Sequence, residues 1–252
     1  MNNQQLLEIA SRLGYSMQKC GAEIYRIEDS LTRVLTALGA IDVNVFVINS
    51  AVMLSIKTGE ETVLSEIRRS PARGTDLYKL NRLNSLCRRI CSEHLSYQNI
   101  IDELESIEIK KTFSFPIKLL GFIMVSVGFC LIFGGGALEG LAALAVSLVV
   151  FPLVYVMERL KTGIFFKNII SSAAIALLAI LFSAFVLSVN IDKVIIGTFM
   201  NLVPGVALVT SMRDIIAGDL IAGKNTLTEA IIIAIGMALG AGIVLALLQF
   251  MI

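Results

Sequence analysis

The stretch IKLLGFIMVSVGFCLIFGGGALEGLAALAVSLVVFPLVYVM, residues 117–157, decides the architecture. It consists of two apolar runs joined at GGGALEG, and its only Asp, Glu, Lys or Arg residues are Lys118 and Glu139. Each run is close to the ~20 residues that a helix needs to cross a ~30 Å hydrocarbon core. Lys118 stands at the very start of the first run, where a long side chain can reach the interface. Three more apolar segments follow. The expected spans are 117–133, 137–157, 164–189, 194–212 and 227–252, the fourth interrupted by Pro204-Gly205.

The rest of the chain is unlike this. Of 252 residues 56% are apolar and 16% charged, against about a quarter charged in soluble domains, and the mean hydropathy is +0.81. Most of the charge precedes residue 117. A polar half is thus joined to a membrane half, which excludes a fully soluble enzyme, a secreted disulfide scaffold and a disordered chain. A net charge of +1 gives no support to nucleic-acid binding. Cys20, Cys87, Cys91 and Cys130 are too scattered for a disulfide framework, which suits a reducing compartment.

The opening MNNQQLLEIASRLGY lacks a basic segment followed by an apolar run, so no signal peptide is expected and the polar half stays where it was made. Residues 1–111 read as a cytoplasmic α+β domain, and 112–252 as the transmembrane domain. Leu6, Ile9, Leu13 and Met17 share one helical face. Ile24, Ile27, Leu31, Val34, Leu35 and Leu38 form a second 3.6-residue stripe, closed by Gly39. Val43, Val45 and Val47, then Val52, Leu54 and Ile56, alternate as a hairpin turning near Asn49-Ser50. A short strand over 62–67 and helices over 76–95 and 98–109 complete the domain, and Lys110-Lys111 and Pro116 mark its end. Lys and Arg crowd the first half and the loops around Lys161 and Lys224, whereas the opposite loops carry Lys193 alone. This bias predicts a cytoplasmic N-terminus and an external C-terminus. An odd span count ending almost flush at Ile252 suggests part of a larger bundle.

Four constellations could carry chemistry. NLVPGVALVTSMRDIIAGDLIAGKNTLTE (201–229) places Pro204 and Gly205 in the fourth span. Pro removes a helical N–H, and a helix broken at membrane depth commonly lines a cavity or holds substrate. Arg213-Asp214, Asp219 and Glu229 follow. An Arg fork matches a carboxylate, and a partly buried carboxyl can carry a coupling proton. The competing reading is a kink followed by a solvated loop. CGAEIYRIEDSLTRVLTALG (20–39) offers Glu23, Arg26, Glu28 and Asp29 as a gating face, or as ordinary exposed helix pairs. Cys87, Cys91 and His94 share a helical face, but structural zinc needs ligands from paired clusters, so no metal is expected. Gly236 and Gly240 make a GxxxG step suited to close helix packing, and Gly134–Gly136 is a tight external turn. No nucleophile triad, Walker loop or dinucleotide fingerprint is present, so neither catalysis nor a cofactor is expected.

Three blocks, GAEIYRIEDSLTRVLTALG (21–39), RRSPARGTDLYKLNRLNSLCRRI (68–90) and NLVPGVALVTSMRDIIAGDLIAGKNTLTEA (201–230), together resemble the bacterial threonine/serine exporter family. Pro204-Gly205, Arg213-Asp214, Gly218-Asp219, Gly223 and Glu229-Ala230 carry the resemblance most specifically. It implies export of small hydrophilic metabolites. Long members fuse this module to a second hydrophobic one. In the split form a small membrane subunit supplies that second part, and one such pair is associated with succinate export. By position the resemblance points to Asn201, Pro204, Gly205, Arg213, Asp214, Asp219 and Glu229 for substrate or ion, and to Glu23, Arg26, Glu28 and Asp29 for gating. Lys224-Asn225-Thr226 stands where relatives often have a small residue and then Arg.

The expectation is therefore a helical membrane bundle of about five spans with an N-terminal cytoplasmic α+β domain. It serves as one subunit of a proton-driven secondary exporter of carboxylate-bearing metabolites, oligomeric and completed by a small membrane partner. The alternative is a membrane-anchored regulatory or assembly protein whose cytoplasmic domain binds a ligand.

Overall fold

A computed structural model describes residues 1–57, 63–70, 74–110, 113–186 and 189–251. It divides into two compact units, Met1–Thr112 with Val209–Leu227, and Phe113–Leu208 with Thr228–Ile252. Residue 62 of the expected third strand, Lys111 of the expected boundary, residues 187–188 of the expected third span and Ile252 lie outside the described residues.

The first unit opens with helices α1 (Asn3–Lys19) and α2 (Ile24–Ala37). Asn2 and Gln5 form a reciprocal capping box at the start of α1. Gly39 follows the end of α2 at φ +99°, the left-handed conformation that stops a helix cheaply only at glycine. Strands β1 (Asp42–Ile48), β2 (Ala51–Lys57) and β3 (Val63–Arg69) make an antiparallel meander. The hairpin is as the alternation predicts, with Val47 opposite Val52 and Val45 opposite Leu54. Helices α3 (Leu77–Ser92) and α4 (Tyr97–Ile109) follow, capped by Asp76 and Ser96. The core is drawn from every layer: Ile9, Leu13 and Met17 of α1, Ile27 and Leu31 of α2, Ile56 of β2, Leu83 of α3 and Leu104 of α4 are all essentially buried. Glu108 ties three helices together, accepting from Arg12 Nη2 at 2.8 Å and Ser16 Oγ at 2.6 Å through its carboxylate and from Lys79 Nζ at 2.7 Å through its carbonyl.

The second unit holds α5 (Phe115–Ile132), α6 (Ala137–Arg159), α7 (Ile164–Phe185) and α8 (Ile191–Phe199). The chain continues through α9 (Gly205–Ala217) into α10 (Leu220–Met251). Among the described residues four helices are long and apolar enough to cross a membrane: Phe115–Ile132, Ala137–Arg159, Ile164–Phe185 and Leu220–Leu248. The expected fourth span, over 194–212, is not a continuous helix of that length. There α8 has nine residues, about 14 Å at 1.5 Å per residue, roughly half a crossing. Its last turn closes through Leu202 N–H to the Phe199 carbonyl at 2.8 Å, and Pro204 then bars continuation. The apolar run masked two short helices because periodicity within a uniformly apolar segment carries no break signal.

The helices of this unit approach closely through small residues. A Cβ on Gly197 of α8 would stand 2.7 Å from the backbone nitrogen of Cys130 on α5. The Gly236–Gly240 step finds its partner within the chain: Gly236 lies over the Phe165 carbonyl and Gly240 over Ile169 and Ser172 of α7, whereas Gly242 faces open space. Close backbone approach replaces hydrophobic driving force, which lipid does not supply.

Candidate functional site

Each unit gathers a group of polar side chains. In the first, residues 209–227 supply the end of α9 and the start of α10. The stretch 213–224, which the sequence leaves open between a loop and a re-entrant segment, is a helical hairpin. It turns at Gly218 (φ +98°), where Asp219 N–H donates to the Asp214 carbonyl at 2.9 Å. Gly223 lets the two arms touch, since a Cβ there would lie 2.9 Å from the Ser211 carbonyl. Asp214 is completely buried, Asp219 half-buried and Arg213 exposed.

The hairpin and α2 share charges. Arg213 Nη1 donates to Glu23 Oε1 in an ion pair. The second Glu23 oxygen is 3.4 Å from Arg26 Nε, and the Glu23 side chain is only 10% exposed. The Glu23 carboxylate pushes the Arg213 pKa further above its ordinary value. Five residues along α2, Glu28 accepts the Val47 N–H at 2.8 Å. Burial raises the Glu28 pKa, the Val47 bond opposes the rise, and the charge on Asp219 adds to it. Asn49 Nδ2 donates to Thr226 Oγ1 at 3.1 Å. The sequence candidates Glu23, Arg26 and Arg213 are therefore brought together, as are Glu28 and Asp219. Asp29 stands apart in an exposed pair with Arg33 at 2.9 Å.

In the second unit, Asn201 follows the end of α8. Its Nδ2 donates to Ser126 Oγ at 2.8 Å and reaches the Phe122 carbonyl at 3.3 Å, both on α5. Asn201 lines a pocket of 240 Å³ with Lys118, Tyr155, Glu158, Lys167 and Asn168. Lys167 pairs with Glu158 at 3.0 Å, and buried Asn168 donates to the Ile164 carbonyl at 2.7 Å. Pro204 is half-buried and Gly205 exposed at the start of α9, and Glu229 is exposed on α10. Of the pocket residues, only Asn201 was a candidate by sequence. The signal for the others lies in the sequence: Lys167 and Asn168 are polar groups inside an apolar segment, functional candidates by default.

The Cys87, Cys91 and His94 face shows no clustering. Cys87 is buried while Cys91 and His94 are exposed, and among the described residues no group of three or more His, Cys, Asp and Glu could hold a metal ion. Burial pushes the Cys87 thiol up to about 12.

The family model of threonine/serine exporters matches residues 8–248, nearly the whole chain. The chain belongs to the threonine/serine exporter family. Over 247 residues it is 21% identical to the "Probable threonine/serine exporter" of Mycobacterium tuberculosis, covering 95% of this chain and 46% of that protein. Over 176 residues it is 25% identical to the "Threonine/serine exporter" of Corynebacterium glutamicum, covering 67% of this chain and 36% of that one. The chain thus spans less than half the length of the curated relatives it matches. No solved structure matches it. Membership and four apolar helices together make this a multi-pass membrane protein of an exporter family.

Proposed function

We propose that the chain is the larger subunit of a secondary exporter that moves small carboxylate-bearing metabolites, succinate-type dicarboxylates or threonine and serine, out of the cytoplasm. A small integral membrane subunit completes it. The observation that carries this reading is the broken span: α8 stops halfway and Asn201 turns its amide onto α5 beside a polar pocket. An anchor needs no such break, whereas transporters use broken helices to line substrate sites.

The N-terminus is cytoplasmic and the C-terminus external, following the lysine and arginine bias. Within the first unit, Arg213 and Glu23 act as a gating contact, with Arg26 holding the second Glu23 oxygen. Glu28 and Asp219 form the proton-responsive pair. Burial and mutual charge already favour the protonated form of Glu28, so uptake of a proton there removes repulsion and release restores it. Asp214, buried in the same hairpin, is a further carboxylate for the coupling proton.

The test is efflux of labelled succinate, threonine and serine from preloaded cells lacking their own exporters, with this chain expressed alone and with its small membrane partner. Efflux of one compound dependent on both proteins is the expected result. No efflux of any of the three, with both proteins verified in the membrane, would favour the anchored regulatory reading.

A further inference from the structure

The pocket in the second unit lies where α5 begins, α6 ends and α7 begins. Lys118 is in the first turn of α5, Tyr155 and Glu158 in the last turns of α6, and Lys167 and Asn168 in the first turns of α7. Asn201 adds an amide from the broken span. Two ammonium groups face one carboxylate, so the lining carries one net positive charge. The Lys167–Glu158 pair satisfies one cation, leaving Lys118 with no ion pair to a protein carboxylate among the described residues. Asn168 and Asn201 are held in place through their Nδ2 groups, Tyr155 accepts from Arg159 Nη2 at 2.8 Å, and the side chains of Phe122 and Phe151 supply an apolar wall.

Size limits the occupant. The 240 Å³ volume is below the ~300–1,000 Å³ of pockets for drug-sized ligands. Such a volume suits a small acid rather than a drug-sized ligand. This is the scale of a four-carbon acid. Nothing so small and charged would enter an uncharged apolar site, because an unpaired buried carboxylate is strongly disfavoured.

We infer that this pocket is the carboxylate-holding site for the transported metabolite, with Lys118 and Lys167 as its anion-binding groups and Asn168 and Asn201 reading the rest of the molecule. The inference rests on the exporter reading and gives its substrate site an address distinct from Arg213. In the topology proposed above, the pocket is at the cytoplasmic end of the bundle, where an exporter loads. Glu158 has a specific part: it holds Lys167 at 3.0 Å, and an entering carboxylate competes for that ammonium group. Selectivity among small acids then falls to Asn201, whose amide is oriented by Ser126 at 2.8 Å.

The test is direct binding to the purified full chain in neutral-lipid nanodiscs, with labelled succinate and threonine as probes. The variants are Lys118→Gln, Lys167→Gln and, as a control in the same polar end, Lys161→Gln. Parent and control should bind alike, and each pocket variant should bind about tenfold or more weakly, as expected on losing a charge-assisted hydrogen bond. Succinamide, which matches succinate in size without its charge, should not compete. Unchanged affinity in both pocket variants, or no binding of either probe to the parent, overturns the site. So does displacement of succinate by a small fraction of phosphatidylglycerol, which would make the pocket a lipid-headgroup site. Efflux run in parallel separates the two readings. Export with unchanged KM in the pocket variants sinks the pocket alone, and binding without any export sinks the exporter reading while leaving the pocket.

Discussion

Glu23 and Arg213 are 190 residues apart in the chain and form an ion pair, with Glu23 nearly buried and Arg213 half exposed. One immediately precedes α2 and the other sits on the hairpin formed by α9 and α10. With Glu23 nearly buried, the cost of desolvating its carboxylate offsets much of what the pairing contributes, so stability alone is a weak reason for the contact. If it gates, orientation of charge matters more than its presence. Glu23→Gln should cut export severely while changing melting temperature little, whereas Arg213→Gln should cut export and also lower the melting temperature, because it leaves the nearly buried Glu23 carboxylate with Arg26 alone. The exchange Glu23→Arg with Arg213→Glu should restore part of the export. Efflux measured on four matched strains decides, and equal loss in the singles and the exchange would argue against a gate.

Glu28 predicts a pH dependence with a definite sign. Its folded-state pKa is raised, chiefly by burial, with Asp219 adding to the rise. A carboxyl shifted upward costs stability in its charged form, and that cost is absent below the ordinary carboxylate range. It grows as pH rises through the interval between the ordinary and the raised value, and is complete above it. Glu28→Gln keeps an oxygen for the Val47 N–H and removes the charge. The variant should therefore be more stable than the parent at pH 7, with the gap closing as pH falls below the ordinary carboxylate range. Asp219→Asn should narrow the same window. Thermal melts from about pH 3 to 8, which span the ordinary carboxylate pKa, measure both, and a gap independent of pH would remove Glu28 as a titrating partner.

Gly240 and Gly242 make a matched pair of controls for packing. A methyl group at Gly240 would run into Ile169 and Ser172 of α7, whereas one at Gly242 meets nothing. Overpacking costs about 1–3 kcal/mol. Gly240→Ala should lower the melting temperature in detergent by several degrees and Gly242→Ala should leave it within error. Equal effects would mean that α10 does not pack on α7 through this step.

The cysteines report on the first unit. Cys91 is exposed, whereas Cys87 is buried with its thiol pushed up to about 12. Thiolate is the reactive form. At pH 8, maleimide should modify Cys91 within minutes and reach Cys87 only after denaturation, as read by peptide mass spectrometry. Simultaneous modification would mean that α3 does not present Cys87 to the core.

Most of the elements can be read from local pattern. The stripe from Ile24 to Leu38 specifies α2, the alternation around Val47 and Val52 specifies the hairpin, and the apolar runs specify the long helices, because each is a periodicity written over consecutive residues. Family membership is likewise legible, through residues such as Pro204-Gly205 and Arg213-Asp214. The broken span was visible only as a proline. Whether a helix resumes across the membrane depends on packing, and here α8 stops where Gly197 meets Cys130 and Asn201 reaches Ser126.

What the sequence determined by itself is where the chain is apolar, where its helices and strands repeat, and which family it belongs to. What only the tertiary structure decided is which charges meet. Glu23 with Arg213, Glu28 beside Asp219, and Lys167 with Glu158 around one pocket join residues from separate elements. Electrostatic coupling depends on distance and burial in space, and neither is a function of separation along the chain.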